Sequence, residues 1–136
     1  MHSKERHKLI YPAGAFKPSD WLRFIHFPLF ENEWSDLNLD DDALQVLQIM
    51  IMAGADRHPV VPGTGGLRKI RFAEPGSNRG KSGSYRVGYA HFPDYQTVLL
   101  ITVWGKTESS NLPAGDRKAI AEVIQEIREL LNRNKI

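Results

Sequence analysis

The chain has 136 residues, of which 41% are hydrophobic and 25% charged, the composition of one ordinary globular domain. It contains no cysteine, which excludes disulfides, thiolate metal centres, iron–sulfur clusters and cysteine nucleophiles. The net charge of +2 hides an uneven distribution: residues 1–56 carry five basic and nine acidic side chains, residues 57–106 eight basic and two acidic, and the rest balance five against five. A basic centre is the electrostatic footprint of a polyanion partner, although a solvated surface face has the same composition. No apolar run approaches the roughly 20 residues of a membrane span. The amino terminus, Met1 to Lys8, is charged and lacks the apolar stretch of a secretory signal. A soluble cytoplasmic protein with no membrane partner is expected.

Residues 1–21 hold Pro12, Gly14 and Pro18 and show no period, which predicts a flexible or extended lead-in to a single domain over residues 22–136. Leu22 to Pro28 alternates between two fairly apolar faces, the pattern of a buried strand that ends at the proline. Phe30 to Leu37 reads as one or two acidic helical turns. Asp40, Asp41 and Asp42 supply an N-cap and first-turn charges rather than an acid–base pair. Behind them Ala43, Leu44, Val46, Leu47, Met50 and Ile51 recur at helical spacing, and Gly54 should stop this helix.

The run from Pro59 to Gly66 must turn sharply. It leads to three strands rich in β-branched and aromatic residues, over Leu67–Ala73, Gly83–Phe92 and Thr97–Trp104. A polar loop with Arg79 and Lys81 separates the first two, and Pro93 to Gln96 has hairpin-turn chemistry. Asn111-Leu112-Pro113 opens a last helix, whose Ile120, Val123, Ile124, Ile127 and Leu131 form a stripe for the sheet. Apolar residues beyond that stripe are expected to serve a partner.

Gly80-Lys81-Ser82 ends like a nucleotide-binding phosphate loop. The glycine that such a loop needs five residues before Gly80 is Pro75, and a strand rather than a helix follows, so the segment reads as a decoy. His2, His7, His26, His58 and His91 make no pair at ligand spacing, and no metal or other cofactor is expected. His26 reads as a core or edge residue, Met50 and Met52 as core filling. His91 closes a strand beside the basic segment, where it can face a site.

The remaining constellation is Arg68-Lys69-Ile70-Arg71 on one strand and Tyr85-Arg86-Val87 on its neighbour. Lys69 and Arg71 are two apart and project from the same face, and a hairpin brings Arg86 beside them. Like charges repel, so a sheet that concentrates three normally binds an anion, and guanidinium forks suit phosphate oxygens. Tyr85 and Tyr89 offer rings near that face for base stacking.

The residues Pro62-Gly63-Thr64-Gly65-Gly66-Leu67-Arg68-Lys69-Ile70-Arg71, then Gly80-Lys81-Ser82-Gly83-Ser84-Tyr85-Arg86-Val87, resemble a HigB-type toxin of the RelE/ParE superfamily. The likeness continues through Ile101 to Glu108 and covers residues from about Leu22 to the carboxyl end. It implies an α+β fold, an antiparallel sheet flanked by N-terminal helices and a C-terminal helix. It implies a ribosome-dependent endoribonuclease that cuts translated mRNA by attack of the ribose 2′-hydroxyl on the adjacent phosphate, held in check by a cognate helix-turn-helix antitoxin. The catalytic positions then fall on Lys69, Arg71, Arg86 and Lys106, with Lys69 as base or electrostatic partner of the 2′-hydroxyl, the arginines on the phosphorane, and Lys106 either at the leaving oxygen or on ribosomal RNA. Arg68, Arg79 and Lys81 would hold RNA backbone. A tyrosine that some relatives carry after the last strand is replaced by Ser109, Ser110 and Asn111; either Tyr85, Tyr89 or His91 substitutes, or positioning carries the rate. A ParE-like gyrase inhibitor and an antitoxin-binding module without nuclease activity are the alternatives.

Overall fold

A computed structural model of the chain describes residues 21–74, 85–105 and 114–136. The elements follow in the expected order: β1 (Arg23–His26), α1 (Pro28–Asp36), α2 (Asp41–Ala53), β2 (Arg68–Phe72), β3 (Tyr85–Phe92), β4 (Thr97–Trp104) and α3 (Ala114–Asn132). The lead-in expected over residues 1–21 lies, except for Trp21, outside the described residues, and so do Arg79, Lys81 and Lys106.

The class is α+β, with helices on both faces of a four-stranded sheet of order β1-β4-β3-β2. Strands β2, β3 and β4 form an antiparallel meander, whereas β1 joins β4 in parallel, with Arg23 opposite Thr97 and His26 opposite Leu100. The sheet is therefore mixed. Parallel pairing needs a long crossover, and the whole stretch from α1 to β3 separates these two strands.

Local chemistry explains the boundaries. Pro28 cannot donate to a ladder and is tolerated in a first helical turn, so it ends β1 and opens α1. Asp40 caps α2 by accepting from the Ala43 amide at 2.9 Å, and Asp41 and Asp42 put negative charge at the helix's positive end. Between α2 and β2 the backbone passes through Gly65 at φ +73°, a left-handed conformation that favours glycine. The fully buried Thr64 ties this turn, donating to the Val61 carbonyl at 2.6 Å and accepting from the Leu67 amide at 3.0 Å.

Two cores sandwich the sheet. On one face Phe30, Trp34, Leu44, Leu47 and Ile51 from α1 and α2 pack against Phe24, Ile70, Phe72, Tyr85, Val87, Tyr89 and Leu100. On the other, Ile120, Ile124 and Leu131 of α3 pack against Leu67, Ala90, Phe92, Leu99 and Ile101. The α3 stripe is the expected one, with Val123 and Ile127 at its margins. At helical periodicity these five residues make one stripe; outside it Ala119 is exposed and Ala121 and Leu130 are partly exposed, while Asp116, Lys118, Glu122, Gln125, Glu126 and Glu129 take exposed positions.

Where β1 stops, α1 takes its place along the edge of β4. The Glu33 carboxylate accepts from the Thr102 hydroxyl at 2.7 Å and from the Val103 amide at 3.0 Å. A strand edge without a neighbour leaves amides unsatisfied, and Glu33 satisfies one of them.

Candidate functional site

In the β2–β3 ladder Lys69 lies opposite Gly88, and Arg71 lies opposite Arg86. Opposed residues share a face, and so do residues two apart on one strand. Leu67, two residues before Lys69, belongs to the α3 core. Lys69, Arg71 and Arg86 therefore project from the α3 face, beyond the end of the hydrophobic core on that side. Arg71 is exposed, Lys69 half-buried, and Arg86 only 8% exposed. Opposed Cβ atoms in such a ladder are about 5 Å apart, so two guanidinium groups start from neighbouring points on one surface.

The β3–β4 ladder extends this row. Trp104 lies opposite Arg86, and Thr102 opposite Gly88. The register then shifts, because Tyr89 faces Leu100 and leaves Ile101 as an extra residue. Leu99 and Ile101 belong to the α3 core, whereas Leu100 and Val103 belong to the core on the opposite face. Unbroken alternation from Leu100 would send Thr102 and Trp104 toward α1 and α2. The bulge turns both to the cationic face, a re-aiming that bulges commonly perform. Trp104 is 7% exposed, and its Nε1–H has no hydrogen-bond partner among the described residues. A buried donor left unpaired costs about 1–3 kcal/mol. Sequence alternation alone gave no signal for Trp104.

The other candidates that the sequence singled out lie elsewhere. Tyr85 and Tyr89 are odd-numbered neighbours of Arg86 and so point to the opposite face, into the α1–α2 core, 8% and 0% exposed. Their rings are packed against side chains and offer no platform for base stacking. Arg68 alternates with Lys69 for the same reason. Its Nη1 donates to the carbonyls of His58 at 2.7 Å and Asp56 at 3.0 Å, which pins the loop after α2 rather than RNA backbone. His91 donates from Nδ1 to Asp56 at 2.8 Å on that side of the sheet. These four placements share one cause: each residue is an odd number of positions from a cationic residue on its own strand.

That second face has its own polar network. The Tyr89 hydroxyl donates to the Ala55 carbonyl at 2.6 Å and lies 3.0 Å from His58 Nδ1. A phenol has one proton to give, so His58 Nδ1 carries the hydrogen in their contact. Burial pushes the Tyr89 pKa up to about 12, with the Asp56 charge adding to the rise and Arg68 opposing it. Burial also lowers the His58 pKa, helped by the positive charges of Arg68 and Arg57. The hydrogen bond from His91 lowers the Asp56 pKa, against partial desolvation and with charge support from His91 and Arg68. These groups brace the loop at residues 55–58 against β2 and β3.

What the α3 face can do chemically follows from its groups. Two guanidinium forks and one ammonium on one face are groups suited to phosphate oxygens, and Trp104 starts next to Arg86 on the neighbouring strand. No protein-family model matches the sequence. Among solved structures, the chain is similar to a mutant of the E. coli toxin RelE in the free state, at 19% identity and a TM-score of 0.46, the match covering 66% of this chain and 87% of that one.

Proposed function

We propose that this chain is the toxin of a type II toxin–antitoxin pair, a ribosome-dependent endoribonuclease that cuts translated mRNA. The observation that carries this reading is the row of Lys69, Arg71 and Arg86 on one sheet face, with Arg71 and Arg86 directly opposed. The motif resemblance to HigB-type toxins supports it independently, through the glycine-rich entry to Leu67-Arg68-Lys69-Ile70-Arg71. In the reaction the 2′-oxygen attacks the adjacent phosphorus and loses its proton to a base. The bond from phosphorus to the 5′-oxygen breaks, and that oxygen takes up a proton. A cyclic phosphate and a 5′-hydroxyl end result.

Negative charge gathers on the phosphorane oxygens in the transition state, so cations held in advance at that point accelerate the step. Arg71 and Arg86 fill this role, and Lys69 acts on the 2′-hydroxyl side. Lys106, Arg79 and Lys81 keep the parts that the resemblance implies, Lys106 at the leaving oxygen or on ribosomal RNA and the other two on RNA backbone. With Tyr89 and Tyr85 buried in the opposite core, neither substitutes for the tyrosine missing after β4, and positioning of the phosphate bears more of the rate. The cognate antitoxin, a helix-turn-helix protein, would neutralise or occlude the cationic face. The test is incubation of purified protein with ribosomes translating a defined mRNA. Cleavage that vanishes in Lys69→Ala, Arg71→Ala and Arg86→Ala supports the reading; cleavage of equal extent in all three refutes it.

A further inference from the structure

We infer that Trp104 binds the substrate, its indole N–H donating a hydrogen bond to the phosphate oxygen that Arg86 holds. The inference rests on the proposed nuclease reading and adds to it a group that differs from the cationic residues in kind. Three observations carry it. Trp104 is the β4 partner of Arg86, so both side chains start from adjacent points of the same face. Its Nε1–H is buried yet lacks a partner among the described residues, whereas the other described core indole, Trp34, donates to the Asp40 carbonyl at 3.2 Å. A bulge at Ile101 is what brings Trp104 to this face, and bulges concentrate beside functional sites.

A buried donor that finds no acceptor in its own chain invites an external one. An indole N–H can only donate, so its complement is an acceptor. Beside two guanidinium groups, the acceptor that fits is an anionic phosphate oxygen. The hydrogen bond is charge-assisted on the acceptor side and sets where the phosphate rests between the arginines. A neutral donor adds this bond without adding a further positive charge to the row.

The experiment is titration of the ¹⁵N-labelled protein with a mixed-sequence hexamer of 2′-O-methyl RNA, which cannot undergo 2′-oxygen attack. The Trp104 indole signal is identified by its loss in Trp104→Phe. We expect that signal to move on binding, and Trp104→Phe to weaken binding roughly ten- to hundredfold, the factor for one hydrogen bond to a charged group, with no fall in melting temperature. Binding with a stationary Trp104 signal overturns the inference, as does a Trp104→Phe variant that binds equally well. Either result leaves the nuclease reading standing if Arg71→Ala still abolishes mRNA cleavage. If the wild-type protein does not bind the hexamer, the inference falls, and undiminished toxicity of Arg71→Ala would then remove the nuclease reading with it.

Discussion

Arg71 and Arg86 stand directly opposite each other across the β2–β3 ladder, one exposed and the other buried. Like charges in opposed positions destabilise a sheet. Replacing the exposed member, Arg71→Gln, is expected to raise stability by a few tenths of a kcal/mol to about 1 kcal/mol. The same change should cut mRNA cleavage about a hundredfold or more, the usual cost of removing a group that stabilises transition-state charge. Thermal unfolding and cleavage on translating ribosomes, measured on the same preparation, check the pair of effects. A lower melting temperature would contradict the opposed-charge relationship.

On the opposite face, Tyr89 makes stability sensitive to alkali. Its folded-state pKa stands at about 12 against an ordinary value near 10, so the fold favours the neutral phenol. This contribution is complete below pH 10 and is lost as pH rises from 10 to 12, because the unfolded chain gives up the proton first. The loss is on the order of 2 kcal/mol, from a shift of about two units. Tyr89→Phe should be less stable at pH 7, having lost the bonds to Ala55 and His58, yet show a shallower alkaline decline. Chemical denaturation at several pH values between 8 and 12 reads the difference between the two slopes.

Acid acts on the same loop from the other direction. His58 and Asp56 both have lowered pKa values, so each favours folding at higher pH and ceases to as pH falls. For His58 the loss begins below about pH 6.5, and for Asp56 only below about pH 4, following their unfolded-state values. His58→Asn should therefore flatten the stability profile between pH 7 and 5, and Asp56→Asn should remove the decline at stronger acid. Melting temperatures across the range separate the two.

Glu33 offers a test that leaves the cationic face intact. Its carboxylate receives both the Thr102 hydroxyl and the Val103 amide at the edge of β4. Glu33→Ala removes the one oxygen that accepts both bonds and should cost about 1–3 kcal/mol. Well below its melting temperature the variant should still cleave mRNA, because Glu33 meets β4 on the edge away from β3. Loss of cleavage in a variant that remains folded would mean that the bulge beside it needs this support.

Much of the fold was legible because its signals are local. Asp40 as an N-cap, Gly54 as a stop, Pro28 as a break and the Ile120–Leu131 stripe each act within a few residues. The pairing of Lys69 with Arg71 was equally readable, since period two is all that it requires. Three things were not. The parallel placement of β1 depends on which strand edge stays open, and no neighbouring residue encodes that. Tyr85, Tyr89, Arg68 and His91 follow the same period two to the opposite face, and sequence proximity to the cations obscured this. Trp104 was hidden by the extra residue at Ile101, because a bulge reverses alternation without leaving a glycine or proline to mark it.

The central claim is that the cationic row acts on the RNA phosphodiester. Its most direct measurement is the mapping of 5′-hydroxyl ends on cellular mRNA after brief induction of this chain alone. Wild-type protein should produce such ends within translated regions, and they should disappear when initiation is blocked or when Arg71 is changed to alanine. Growth arrest with intact mRNA and inhibited DNA supercoiling, unchanged by Arg71→Ala, would contradict the claim.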